Sequence, residues 1–241
     1  MRKRGGSGNP ECQSGSDLDA EINAPSASKL TSARAALAFA ERKIHLASLL
    51  FMFCLTSCAT HKDVQHRVVV SVKDQRLALL DRETLVAIYP VSTSKYGVGD
   101  WPRSYRTPLG ELEVAQKIGD GLPPGTVLKD RRRTGEIVGV NAPGRDPIVT
   151  RIIWLRGLEW QNANAFRRDI YIHGTPEERN IGLPVSYGCV RMRSEDVIKL
   201  YDVLGRGARV SIVDAPLGAV VSGVSNAMQT ALTIRSGMTI H

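Results

Sequence analysis

From residue 67 to residue 213 the chain is a succession of short apolar runs rich in Val, Ile and Leu. Gly, Pro or Asp cuts each run off within a few residues, which points to strands rather than long helices. Arg67-Val68-Val69-Val70-Ser71-Val72 and Gln75-Arg76-Leu77-Ala78-Leu79-Leu80 flank Lys73-Asp74, a two-residue turn candidate, and Leu85 to Val91 continues the meander. Gly110 to Lys117 alternates until Gly119 to Gly125 breaks it, and Ile148 to Leu155 reads as a buried strand. Asp169-Ile170-Tyr171-Ile172-His173 and Arg209-Val210-Ser211-Ile212-Val213 read as two more strands. Gly97 to Pro102 is loop chemistry, of the kind found on a surface near a ligand. One segment, Ser194 to Gly205, has helix chemistry, with Ser194 as N-cap, Glu195 and Asp196 in the first turn and Gly205 as the stop. Aromatic residues make up only 5% of the chain against 42% hydrophobic, so the core must be built from Val, Leu and Ile. The expected architecture is mainly β, a sandwich or barrel-like sheet with one or two short helices. Residues 215–241 show no firm period and receive no assignment.

Two residues in this region carry chemistry. Cys189 is the only cysteine after Cys58, and His173 is the only histidine between His66 and His241. A thiol attacks as its thiolate and needs a base to reach that form, so a Cys-His machine in the folded region can only be this pair. The alternative is that Cys189 is a small core residue, since free cysteines are commonly buried. Its setting, Ser186-Tyr187-Gly188-Cys189-Val190-Arg191-Met192, argues otherwise, because Gly188 lets the backbone approach a ligand and Ser186 leads in with a polar group. The backbone N–H groups of Tyr187, Gly188 and Cys189 are candidate donors to an oxyanion formed at the sulfur. Arg191, two residues beyond the nucleophile on an extended segment, shares its face and either forks onto a substrate carboxylate or makes a structural ion pair. Ser186 is expected to hydrogen-bond the turn.

His173-Gly174, followed by Ser186 and then Gly-Cys-Val-Arg-Met, resembles the signature of the YkuD-type L,D-transpeptidase catalytic domain. Arg106-Thr107-Pro108-Leu109-Gly110-Glu111-Leu112 is similar to a second motif of the same family, and the resemblance covers roughly 66–214. The chain departs from it at Tyr187, where the family commonly has histidine; the tyrosine either donates a hydrogen bond there or lines the wall. The resemblance implies that the carbonyl of Gly174 orients the second nitrogen of His173. It also implies that the donor is a peptidoglycan stem tetrapeptide, cut before its terminal D-alanine, with the acyl group passed to a neighbouring stem as a 3→3 cross-link. Transfer to water (an L,D-carboxypeptidase), transfer to a protein lysine, or a degenerate lipid-anchored wall-binding module remain open. A sortase-type enzyme would place Thr before the nucleophile and its Arg far away, unlike Ser-x-Gly-Cys with Arg191 adjacent.

The N-terminal region has export chemistry. Arg42-Lys43-Ile44-His45 leads into Leu46 to Leu55, which is apolar except for Ser48. That run is too short to span a bilayer, which takes about 20 residues, and has the length of a signal-peptide core. Leu55-Thr56-Ser57-Cys58 resembles a bacterial lipobox, which implies lipidation at Cys58. The competing reading is a short buried helix. Residues 1–45 are read as a disordered or mis-assigned extension, 46–58 as signal core and lipobox, and 66–214 as the catalytic domain. The expected location is the cell envelope, on the periplasmic side and anchored by lipid. Ala59 after the cysteine leans towards an outer membrane where there is one.

With Cys12 and Cys54 in the segment that processing removes and Cys58 lipidated, Cys189 is left as a free thiol with no disulfide framework. One histidine and one cysteine do not make a metal site, and no cofactor is expected. The formal charge of +8 is spread along the chain. Its tight basic run, Lys129 with Arg131-Arg132-Arg133, lacks the interleaved aromatics of a nucleic-acid surface and reads as a solvated loop, so no nucleic-acid partner is expected.

Overall fold

The computed structural model describes residues 61–223. The lipobox and the signal core lie outside them, as does the chain beyond residue 223. Ten strands form one mixed sheet. In chain order they are β1 (His66–Ser71), β2 (Arg76–Asp81), β3 (Thr84–Pro90), β4 (Gly110–Ile118), β5 (Thr126–Lys129), β6 (Arg132–Ile137), β7 (Val149–Gly157), β8 (Tyr171–Gly174), β9 (Val190–Met192) and β10 (Arg209–Val213). The main path runs β3-β2-β1-β10-β4-β7-β5-β6, while β8 branches from β7 and carries β9 on its other side. Two α-helices, α1 (Ser194–Val203) and α2 (Leu217–Val220), and two single 3₁₀ turns, Trp160–Asn162 and Glu178–Asn180, complete the described chain. The mainly-β expectation holds, realised as a single mixed sheet.

The unbroken apolar runs of β1 and β2 follow from burial on both faces. Val68 and Val70 of β1 join Leu77 and Leu79 of β2 in the main core, while Val69, Ala78 and Leu80 face a second cluster closed by Leu217 and Val221. Of the segment left unassigned from sequence, Leu217 and Val221 therefore pack on the sheet. Leu217 N–H donates to Asp74 Oδ2 at 2.6 Å, and Ser71 Oγ donates to the Ala215 carbonyl at 2.6 Å. The main core is closed by α1, whose Val197, Leu200 and Tyr201 recur at helical spacing, with Leu204 added at its C-cap. Each such fully buried aliphatic side chain contributes about 1.5–3 kcal/mol.

Three local expectations are corrected. The turn between β1 and β2 spans Val72–Gln75 rather than two residues, with Gln75 in the left-handed region at φ 51°. Ser194 is the first residue of α1 rather than its N-cap: Arg193 holds that position, the Ser194 N–H is taken by Glu178 Oε1 at 2.8 Å, and Ser194 Oγ bonds Thr150 Oγ1 at 2.8 Å. At the far end the helix closes on Leu204, and Gly205 instead donates its N–H to Asp63 Oδ2 at 2.6 Å. Finally, the basic run forms a hairpin instead of a loop. Lys129 ends β5, Asp130 and Arg131 turn with φ 50° and 65°, and Arg132 and Arg133 begin the exposed strand β6. Two successive positive φ values are the geometry of a tight two-residue hairpin.

Candidate active site

His173 is the third residue of β8, and Cys189 immediately precedes β9. The two strands run parallel, with Ile172 opposite Val190 and His173 opposite Arg191. Strand side chains alternate, so Ile172 and Val190 enter the main core and Tyr171, His173 and Arg191 share the other face. Cys189 emerges beside Tyr171, whose N–H donates to Sγ at 3.4 Å. Base and nucleophile thus reach one surface from adjacent parallel strands.

The turn carrying the nucleophile is tied on several sides. Ser186 Oγ donates to the Cys189 carbonyl at 2.6 Å and accepts the Gly188 N–H at 3.2 Å, the expected bonding of the turn. The preceding segment pairs Ser186 N–H with the Thr93 carbonyl and Lys95 N–H with the Ser186 carbonyl. Thr107, fully buried, accepts the Ser94 N–H and donates to the Gly188 carbonyl, both at 3.0 Å. That contact gives the second sequence motif a physical role: it fastens the nucleophile's turn to the loop before β4. Gly188 sits at φ +120°, and a Cβ there would lie 3.3 Å from the Arg106 carbonyl, so the turn needs glycine. With the Gly188 N–H bonded to Ser186, the N–H groups of Tyr187 and Cys189 are the candidate oxyanion donors not already engaged among the described residues.

His173 is buried, and its Nδ1 lies 2.8 Å from the Gly174 carbonyl. A carbonyl only accepts, so Nδ1 carries the proton and Nε2 keeps its lone pair for the thiol. Burial pushes the imidazole from the ordinary 6.5 down to about 4; the Gly174 carbonyl opposes this, and the Arg191 charge adds to it. Cys189 is partly open to the cleft but has protein packed around its sulfur. That desolvation pushes the thiol up from 9.0 to about 11, against the opposing effect of the Tyr171 N–H and Arg191. The resting pair is therefore a neutral thiol and a neutral imidazole. Sγ donates to the Asp169 carbonyl at 3.3 Å, so its proton must swing away from that carbonyl to reach His173.

Arg191 makes the structural ion pair of the two roles open to it. Its Nη1 lies 2.6 Å from Asp146 Oδ2, and Asp146 Oδ1 accepts from Thr175 Oγ1 at 2.5 Å. Tyr187 is 54% exposed and stands with Tyr96 and Tyr105 in an aromatic cluster, its Oη 3.2 Å from Lys95 Nζ. It lines the wall of the cleft. Because neither His173 nor Cys189 bonds it, Tyr187→His is expected to keep the acylation rate within about tenfold, a change of roughly 1.4 kcal/mol in the barrier. A complete loss in a stopped-flow acylation assay would show that the phenol takes part directly.

Two clefts meet at the sulfur. One, about 330 Å³, is lined by Tyr105, Tyr187, Arg103, Arg167 and Arg168. The other, about 270 Å³, is lined by Leu128, Asp130, Arg131, Ile148 and Tyr171. Asp169 and Cys189 belong to both. Sequence reasoning missed Asp146 and the pair that sets the first wall, Arg168 with Asp100. That pair is 2.7 Å apart with side chains only 8% and 3% exposed, and Arg168 also donates to the Gly99 and Arg106 carbonyls. No local motif marks these residues, since the partners of Arg168 are more than sixty positions away and those of Asp146 lie on other elements. Asp100→Ala leaves a buried guanidinium without its counter-charge and is expected to cost about 3–5 kcal/mol in urea unfolding. A loss below 1 kcal/mol would mean that water replaces the carboxylate.

The family model for the YkuD L,D-transpeptidase catalytic domain matches residues 65–212. The chain is 29% identical over 157 residues to a probable L,D-transpeptidase, ErfK/SrfK, of Escherichia coli strain K12, covering 64% of this chain and 46% of that protein. It is 41% identical over 150 residues to a putative L,D-transpeptidase, YqjB, of Bacillus subtilis strain 168, covering 61% of this chain and 70% of that protein. The chain spans about half the length of the Escherichia coli relative. An L,D-transpeptidase structure from Mycobacterium tuberculosis H37Rv superposes with a TM-score of 0.41 at 16% identity, covering 62% of this chain and 57% of that one.

Proposed function

This chain belongs to the YkuD family of L,D-transpeptidase catalytic domains, and we propose that it cross-links peptidoglycan stem peptides through a thioester on Cys189. The observation that carries the reading is the free thiol at the junction of two clefts, with a neutral, carbonyl-oriented histidine on the same face of the neighbouring strand. His173 Nε2 takes the thiol proton as the sulfur bonds to the carbonyl carbon of the third residue of a stem tetrapeptide. The Tyr187 and Cys189 N–H groups receive the oxyanion. As the tetrahedral adduct collapses, the C–N bond to the terminal D-alanine breaks and the imidazolium gives its proton to the departing amine. The acceptor amine then attacks the thioester, losing a proton to His173. The C–S bond breaks, and the proton returns to sulfur. Two clefts sharing one sulfur suit a reaction with two peptide partners better than simple hydrolysis, which needs room only for water beyond the donor.

A carbapenem offers the site an activated acyl group that mimics the donor. Intact-mass spectrometry is expected to show one adduct per chain, mapping to Cys189. A chain that stays unmodified would sink this reading, and muropeptide analysis separates cross-linking from trimming. Lipidation at Cys58 and location in the cell envelope complete the proposal, resting on the lipobox-like sequence. Asp63 is fastened to Gly205 and Arg206, so only the few residues between Cys58 and Asp63 are left as a spacer, which keeps the working surface on wall material near the membrane. Cys58→Ala is expected to release the protein from the membrane fraction; unchanged fractionation would remove the anchor from the proposal.

A further inference from the structure

A third cleft, about 410 Å³ and separate from the two at the sulfur, has a different chemistry. Its walls are Trp101 and Trp160 with Val98 and Leu109, and its polar groups are the amides of Gln161 and Asn164. The two indoles are 58% and 90% exposed, an unusual presentation for the largest apolar side chain. Trp101 is held in place: a Cβ on Gly99 would lie 3.2–3.3 Å from its ring atoms, so the ring rests over the glycine backbone, and the Arg106 guanidinium stacks 5.1 Å from its centroid. Among the lining residues the ionisable group is Asp100, and its charge is already matched by buried Arg168. Gln161 spends an amide N–H on Glu159, and Asn164 spends one on the Asp100 carbonyl. Each amide oxygen is left without a protein donor among the described residues.

A ligand matched to these walls is uncharged, presents a flat apolar face to an indole, and carries hydroxyl or amide donors at its edge. A pyranose ring has that chemistry: axial C–H bonds form an apolar face and hydroxyls ring the perimeter. The cleft volume is within the range of small-ligand sites. Its position fits as well, since the loop giving Trp101 to this cleft gives Pro102, Arg103 and Tyr105 to the wall beside Cys189. We propose that this cleft is a subsite for a sugar ring of the glycan strand, with Trp101 and Trp160 as its stacking surfaces. Its occupant's identity rests on the peptidoglycan reading of the Cys189 site. The subsite would hold the strand while the stem peptide it bears reaches the sulfur.

The test uses the full chain and a β-1,4-linked N-acetylglucosamine tetramer, which carries no peptide. Saturation-transfer NMR is expected to show transfer from protein to the sugar ring protons. Trp160→Ala and Trp101→Ala should each weaken it about tenfold, equivalent to 1.4 kcal/mol of binding. Trp160 is nearly free of packing, so its variant keeps the fold and should still be acylated by a carbapenem at the wild-type rate. No transfer to the tetramer from a chain that acylates normally would overturn the subsite and leave the transpeptidase reading intact. Transfer from a chain that resists acylation would do the reverse. Displacement of the tetramer by a free stem tetrapeptide would identify the cleft as a peptide site and overturn the proposal.

Discussion

Replacing Cys189 with alanine is expected to abolish carbapenem acylation and cross-linking, a fall of at least about 10⁴-fold, while the protein stays folded. Loss on that scale is usual when a covalent nucleophile is removed, because no other group takes its place in the sequence of bonds. The sulfur has no neighbouring thiol to substitute for it among the described residues. Its structural contacts are weak, an N–H from Tyr171 at 3.4 Å and a carbonyl of Asp169 at 3.3 Å, so stability at pH 7 should change by about 1 kcal/mol or less. The alkaline limb gives a second signature. The folded protein disfavours the thiolate, with the thiol raised from 9.0 to about 11, so its contribution to stability is complete below pH 9 and is lost as pH rises through 11. The alanine variant lacks that group, and its unfolding free energy should fall less steeply between pH 9 and 11. Detectable cross-links in muropeptides from cells carrying only the variant would remove Cys189 from the nucleophile's role.

The fold was legible where burial writes a pattern. In β1 and β2 both sheet faces are covered, so the chain spells a continuous apolar stretch in each, and the strand bounds lie close to those runs. The β5–β6 hairpin was not legible, because every residue of β6 is exposed and an exposed strand carries no hydrophobic alternation. Its Arg-rich sequence protects a sheet edge and reads equally well as a solvated loop. The start of α1 misled for another reason. Ser194 has the chemistry of a cap, but the fold brings Glu178 to the helix's first N–H and leaves Ser194 Oγ to Thr150. Tertiary contacts can override a local capping signal.

In the site, uniqueness did most of the work. One histidine and one cysteine on neighbouring strands could be paired by elimination, and the Gly174 carbonyl stands where the family resemblance placed it. Residues that hold the site were hidden because their partners are distant in sequence. Asp146 lies in a loop with no motif yet neutralises Arg191, and Asp100 is joined to Arg168 across the cleft wall. Charged residues spaced this way look like ordinary surface until the sheet folds them together. Thr107 was the exception, since it lay inside a motif whose purpose only the contact with Gly188 explains.

His173→Ala is expected to slow acylation by about 10² to 10⁴-fold, the usual contribution of a positioned base. Both members of the resting pair are neutral, so the wild-type rate depends on handing over a proton during attack rather than on a stored thiolate. With the imidazole at about 4, the wild-type rate should remain level from neutral pH down to about pH 5 and fall only near pH 4. Without the base, attack needs thiolate formed by solvent, and the variant's residual rate should climb about tenfold per pH unit until the thiol titrates near 11. The same burial makes His173 a stability group. Its folded value lies below the ordinary 6.5, so the unfolded chain binds the proton more readily and stability falls as pH drops from 6.5 through 4. A shift of this size corresponds to roughly 3 kcal/mol. His173→Gln keeps a polar group near the Gly174 carbonyl but cannot titrate, so urea unfolding of that variant should lose about that much less than wild type between pH 6.5 and 4. Carboxylates that protonate in this range are common to both proteins and cancel in the comparison. A variant with a near-normal, pH-independent acylation rate would exclude His173 as the base, and parallel acid limbs in the two unfolding series would show that its ring is protonated freely in the folded protein.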